Sequence, residues 1–424
     1  MDRVRHLIVG AGISGLATAA FLESDDYLVL EADTEIGGYC KTIVRDGFVW
    51  DYSGHFFHFR DPDLERFLLD RMGEQRVLRI RKESKIRFGE VLVDYPFQKN
   101  IHQLPREDFL ECLVDLFSRD PKPAANFREM LYAKFGRGIA EKFLVPYNEK
   151  LYATDLSTLD VDAMGRFFPH ANVEEIVRNF RNPENETYNA TFTYPEGGAI
   201  QYVHAIASEV DSARIALSEP VVRIDPRRKV AVTPKREIAY EHLVSSAPFP
   251  RLLALTGLPH DPSLYSSNKV EVWNLGFDRK GPTDLHWLYF PDPSIRFYRV
   301  GFYDNIFGSD RMSLYVEIGR RDDEIVDETT EEATLARVLD DLARVGIVEG
   351  HRLVARHHVV MDPAYVHITR ASQADVARQK AILETASIHS IGRYGSWTYC
   401  SIEDNLIEAR ALAERFNALD RAGA

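Results

Sequence analysis

Cysteine is scarce in this chain: Cys40, Cys112 and Cys400 are its only ones, and no two stand at Cys-x-x-Cys spacing. That excludes a disulfide scaffold and predicts no metal site. Positive charge is also short. The 52 Lys and Arg against 65 Asp and Glu leave a formal charge of −13, which argues against nucleic acid or an anionic membrane as partner. No apolar run is long enough to span a bilayer, and no repeat or low-complexity tract breaks the pattern. Strand-like residues begin just after Met1, leaving no room for a signal peptide, so the expected location is cytoplasmic. An acidic chain needs a locally basic pocket to hold a phosphate-bearing ligand. Arginines inside apolar or aromatic stretches are therefore the residues to weigh.

What is present first is a dinucleotide turn. His6-Leu7-Ile8-Val9 leads into Gly10-Ala11-Gly12-Ile13-Ser14-Gly15, and an Ala- and Leu-rich stretch follows, which predicts strand, tight turn and helix. In that setting Gly10 makes the turn, Gly12 admits a pyrophosphate and Gly15 lets helix and strand pack closely. The helix start offers N–H groups and partial positive charge to phosphates. Glu31 ends the next strand-like run, about 20 residues past Gly10, where an acidic side chain can hold a ribose hydroxyl. A second glycine pair, Gly37-Gly38, follows directly and resembles FAD-binding oxidoreductases of the amine oxidase and glutathione reductase type.

At 424 residues the chain is too long for one simple core. The pattern predicts an α/β protein: a Rossmann-like FAD-binding domain (residues 1–80, 190–262 and 371–424), an inserted helical domain with a mobile loop (100–180), and an antiparallel β-sheet substrate domain (81–99 and 263–370). Residues 42–51 read as a hairpin turning at Asp46-Gly47, which delivers Gly54 and His55. Gly165-Arg166 places an arginine after a flexible glycine, in a loop able to close over a ligand. The stretch 402–416 reads as a closing helix.

Several scattered segments together resemble one family, the UDP-galactopyranose mutases, and more closely its eukaryotic-type members. They are Tyr95-Pro96-Phe97-Gln98, Gly138-Ile139-Ala140 through Pro146-Tyr147-Asn148, Asn189-Ala190-Thr191-Phe192, Trp287-Leu288-Tyr289-Phe290-Pro291 through Phe297-Tyr298-Arg299, and Gly392-Arg393-Tyr394-Gly395-Ser396-Trp397. The resemblance implies a flavin-dependent mutase that interconverts pyranose and furanose forms of a UDP- or dTDP-sugar. It implies reduced FAD as cofactor, a covalent adduct between flavin N5 and the sugar, no net redox change, and a reductant such as NAD(P)H. By the same resemblance Arg299 and Arg166 bind the diphosphate and His55 stands beside the flavin. Tyr95, Phe97, Gln98, Phe143 and Asn148 hold the base and ribose, and Tyr152, Asn189, Tyr365 and Tyr399 line the phosphate and sugar region. The implied cofactor residues are Gly10, Gly12, Ser14, Gly15, Glu31, Gly37, Gly38, Gly54, His55, Val222, Gly392, Arg393, Asp404 and Asn405.

The chain departs from the family at Tyr152, where a tryptophan is usual, at Lys82, where an arginine is usual, and at Glu403-Asp404-Asn405, which replaces Asn-Gln-Asp. These departures leave the sugar open. The rival reading is an FAD-dependent oxidoreductase of the amine oxidase or protoporphyrinogen oxidase type. A third is a catalytically silent flavoprotein that binds a nucleotide-sugar and acts through a partner.

Overall fold

The computed structural model describes residues 2–185 and 190–423. Its first sheet is built around the strand Asp2–Val9, whose parallel neighbours are Tyr27–Leu30 on one side and Glu237–Ser245 on the other. Ile215–Ala216 extends the first edge, and Ile388–Ser390 pairs in parallel with the far half of Glu237–Ser245. Val230–Val232 and Arg223–Asp225 continue the sheet antiparallel. A parallel sheet must be covered on both faces, and the alternation along the first strand shows how this one is. Ile8 faces Leu16, Tyr202, Leu406 and Phe416, under the helices Ile13–Phe21, Ile200–Ala207 and Ile402–Gly423. Leu7 and Val9 face Phe249, Leu252, Val376 and Leu383, under Phe249–Thr256 and Arg370–Thr385.

The second sheet runs in the order Leu353–Met361, Asn268–Phe277, Ser313–Arg321, Arg299–Phe302, Trp287–Tyr289, Ser84–Phe88, Val91–Asp94. The sequence predicts it to be antiparallel, and one pair corrects that: Trp287–Tyr289 lies parallel to Ser84–Phe88. These two strands are separated by the helical insertion and much of the first sheet, so no tight turn dictates their relative direction. Between the sheets a short antiparallel ribbon joins Val77–Arg81 to Thr191–Pro195. It brackets the neck through which the chain leaves for the helices Arg106–Ser118, Phe127–Ile139, Val145–Tyr152 and Val173–Asn179 and returns.

The hairpin Thr42–Arg45/Phe48–Asp51 turns at Asp46 and Gly47, both at positive φ (53° and 78°), the twist a two-residue hairpin favours. Its last residue, Asp51, is completely buried. Its carboxylate accepts hydrogen bonds from Thr42 Oγ1 (2.6 Å), Tyr194 Oη (2.7 Å) and the Ala199 N–H (2.9 Å). Its carbonyl accepts from Asn274 Nδ2 at 2.9 Å, and its N–H donates to Tyr303 Oη at 3.3 Å. One residue thus ties the first sheet's surroundings, the ribbon and the second sheet together. Among the described residues, no helix is long and apolar enough to cross a membrane, and no group of His, Cys, Asp and Glu could hold a metal.

Gly15, on the helix Ile13–Phe21, has no room for a side chain: an added Cβ would run into the Gly10 carbonyl and press on Ile8. Gly10 itself sits at φ +103°. Gly15→Ala is therefore expected to cost at least about 2 kcal/mol of stability in urea unfolding, because backbone cannot yield as a side chain can. An unchanged unfolding midpoint would contradict this packing.

Candidate functional site

The residues predicted to hold a dinucleotide meet where the two ends of the chain come together. The helix Ile13–Phe21 starts after Gly12 with no side-chain cap and no acidic residue in its first turn, so its leading N–H groups are open to an anion. Glu31 reaches back to the turn, its Oε2 accepting from the Ala11 N–H at 2.6 Å. The Gly37 N–H donates to the Ala11 carbonyl at 2.9 Å, and the Gly38 backbone lies against Gly12. From the other end of the chain, Asn405 Oδ1 accepts from Ser14 Oγ (3.1 Å) and from the Arg393 N–H (2.9 Å), while the Gly392 N–H donates to Glu408 at 2.7 Å. This bare helix start framed by glycines and by an acidic strand end fits a dinucleotide.

Across from it the second sheet presents Arg299. Its cross-strand partner is Glu317, a carboxylate with no exposure at all. Arg299 Nε and Nη2 both approach Glu317 Oε2, at 2.6 and 2.5 Å, and Ser53 Oγ donates to Oε1. Burial works against both charges, yet the pairing wins. It raises the Arg299 pKa and holds the Glu317 carboxyl below its usual range. Arg393 is partly buried, its guanidinium 4.6 Å from the Tyr399 ring centre and 5.2 Å from that of Tyr365. Those two rings stack at 5.8 Å, and Tyr152 meets Tyr365 edge-on at 5.8 Å. Lys82 lies 5.0 Å from the Trp287 ring, and burial, with Arg299 nearby, pushes its pKa down to about 7.

An aromatic column runs beside this group. Phe97 stacks on Phe143 at 5.0 Å and Phe143 on Tyr147 at 5.1 Å; Tyr147 meets Tyr289 edge-on, and Tyr95 packs at 5.2 Å from Tyr289. A π-helical turn, Ala140–Leu144, sets Phe143 in place. Two buried amides flank the column. Gln98 donates to the Pro169 carbonyl and Asn148 to the Leu144 carbonyl, while Gln98 Oε1 and Asn148 Oδ1 have no partner. Tyr152 Oη and Arg393 Nε are likewise buried and unpartnered. Buried polar atoms are seldom left unpaired, and a polar ligand is one way to complete them.

Other predicted residues have partners within the chain. The carboxylate oxygens of Asp404 both lie 2.6 Å from Arg166 Nη2, and Asp404 also pairs with Arg60. Arg166 is correspondingly held at the start of the closing helix, where its guanidinium lies 4.4 Å from the Phe167 ring. The Val222 side chain is exposed and its N–H is committed to the Val232 carbonyl at 2.8 Å. Gly54 is required by Tyr315, whose hydroxyl occupies the space a Cβ would need. Asn189 lies outside the described residues. Sequence reasoning missed Glu317, whose signal was a lone carboxylate in the apolar strand Ser313–Arg321.

Fold and cleft together define a dinucleotide-binding α/β protein with a second sheet facing the nucleotide turn. A model of the NAD(P)-binding Rossmann-like domain matches residues 8–70. In shape the chain is similar to reduced UDP-galactopyranose mutase (TM-score 0.89, 24% identity, 98% of this chain and 94% of that one). It also resembles cyclohexylamine oxidase from Brevibacterium oxydans IH-35A (TM-score 0.66, 15% identity, 97% and 99%). In sequence it is 37% identical to protoporphyrinogen oxidase 2 of Arabidopsis thaliana over 189 residues, 40% of this chain. That stretch spans 36% of the relative's own length.

Two expectations follow from the charges. His55, His58, His286, His357 and His389 are each pushed down to about 4, chiefly by burial. Each stays neutral when folded, whereas the unfolded chain takes up protons below about pH 6.5. Their contribution is complete above pH 6.5 and is lost as pH falls toward 4. Thermal unfolding midpoints should drop across that window, and a flat profile would contradict the burial. Separately, Asp404→Asn should speed tryptic cleavage at Arg166 about three-fold or more by releasing the loop it anchors; unchanged cleavage would show that the pair does not restrain it.

Proposed function

We propose that this protein is a flavin-dependent nucleotide-sugar mutase, interconverting the pyranose and furanose forms of a UDP- or dTDP-sugar with no net redox change. The observation that carries the reading is a partly buried guanidinium, Arg299, beside Tyr298, whose ring meets Tyr147 of the aromatic column that the unpartnered acceptors of Gln98 and Asn148 flank. Stacked rings and amide acceptors suit a flat base with N–H donors, and a guanidinium suits a diphosphate. Similarity in shape to UDP-galactopyranose mutase supports it.

FAD would be held by the turn Gly10, Gly12, Gly15 with Glu31, Gly37, Gly38, Gly392 and Arg393. Bound there in reduced form, it would supply the nucleophilic nitrogen that displaces the nucleotide. The protein's own residues do the rest. Arg299 takes up charge as the nucleoside diphosphate leaves and keeps it in place for its return. His55, neutral at physiological pH, offers a hydrogen-bonding imidazole without adding charge. Tyr365, Tyr399 and Tyr152 wall the sugar region with rings and hydroxyls and keep water from competing. Arg166, released from Asp404, would bring a second guanidinium to the diphosphate.

The alternative, an FAD-dependent oxidoreductase, is favoured by the sequence match to protoporphyrinogen oxidase 2. Anaerobic assays with dithionite and a panel of UDP- and dTDP-sugars separate the two. The mutase turns over only when reduced and yields a product of equal mass. Stoichiometric loss of an oxidisable substrate with O₂ would favour the oxidase. Arg299→Ala should cost at least about 2 kcal/mol of nucleotide-sugar affinity by calorimetry.

A further inference from the structure

We infer that Glu317 is a positioning residue for the diphosphate step. It fixes the guanidinium of Arg299 to the Ser53-Gly54-His55 turn and cancels its long-range charge, so that affinity for the leaving nucleotide is held down in favour of turnover. The inference rests on the function proposed above.

The geometry is specific. Glu317 and Arg299 are directly opposed on adjacent antiparallel strands, so the backbone ladder sets their separation before any side chain moves. Oε2 takes the Nε and Nη2 edge of the guanidinium, at 2.6 and 2.5 Å, which leaves the Nη1 edge outside that pair. Oε1 accepts from the Ser53 hydroxyl, on the segment that follows the hairpin. Ser53 is itself buried, and its carbonyl accepts from the His55 N–H at 2.7 Å. Next to it Gly54 is wedged against the Tyr315 hydroxyl, which also accepts from Trp287 Nε1. One carboxylate therefore spans from the arginine that meets the anion to the turn that carries His55.

The electrostatics add a second effect. A paired guanidinium and carboxylate with no net charge attract an approaching dianion as a dipole, and that attraction fades with distance faster than that of a bare cation. Recognition then depends on direct contact with the edge of Arg299 that lies outside this pair. In this reaction the nucleoside diphosphate has to leave and be recaptured in every cycle. A stronger, less directed grip would favour the departed state over the return.

Glu317→Gln keeps the volume and removes the charge, and Ser53→Ala removes only the tie to the His55 turn. The probes are UDP and dTDP binding by calorimetry across a salt series, and kcat of the reduced holoenzyme. For Glu317→Gln the expected result is nucleoside diphosphate bound about five-fold more tightly, with a steeper salt dependence, while kcat falls about ten-fold. Opposite signs cannot come from general loosening of the fold, which would weaken both. Ser53→Ala should lower kcat about three-fold at unchanged affinity. Affinity that is unchanged or weaker in Glu317→Gln overturns the inference. If that variant does not fold, unchanged kcat in Ser53→Ala overturns it instead. Failure of the wild-type holoprotein to bind either nucleotide overturns the proposed function and this inference together, whereas a wild type that binds and turns over with indifferent variants overturns this inference alone.

Discussion

A carboxylate shut away from water has to be surrounded by donors, and Asp51 is where this chain meets that demand. Thr42, Tyr194 and the Ala199 N–H converge on its two oxygens, and burial still pushes its pKa up to about 6. Asn274 and Tyr303 of the second sheet's region hold the same residue by its backbone. Moving either half of the molecule against the other would leave several of these groups without partners. The four residues after Asp51 inherit that rigidity, and they include Ser53, Gly54 and His55. The cleft is precise because the node just before it is over-determined.

The cleft also reverses the character of the surface. The chain carries a formal charge of −13, yet Arg299, Arg393 and Lys82 stand within one aromatic enclosure. An acidic exterior gives anions no long-range pull, so any hold these groups have on an anion comes from contact at close range. Rings that shield cations from water also strengthen the contacts they make. Binding of this kind selects on shape and hydrogen-bond pattern more than on net charge.

What could be read from the sequence was local. The glycine turn, the hairpin at Asp46-Gly47 and the closing helix each follow from residues a few positions apart, and the structure has them at Gly10–Gly15, Thr42–Asp51 and Ile402–Gly423. The parallel pair between Trp287–Tyr289 and Ser84–Phe88 was not legible, because it depends on how two distant segments dock. Nor was the pairing of Arg166 with Asp404, 238 positions apart. Glu317 lies only 18 positions from Arg299, but their meeting depends on strand register and not on spacing along the chain. The site was legible where a motif is contiguous and obscure where tertiary contacts reassign side chains.

The helix Ile402–Gly423 packs on the helix Ile13–Phe21, and Asn405 closes the turn through Ser14 and the Arg393 N–H. During synthesis the first turn leaves the ribosome almost four hundred residues before the segment that completes it. The turn thus stays open on that side until Asn405 has been made. A chain cut short before that helix would lack the Asn405 bonds to Ser14 and Arg393 and leave the turn open on that side.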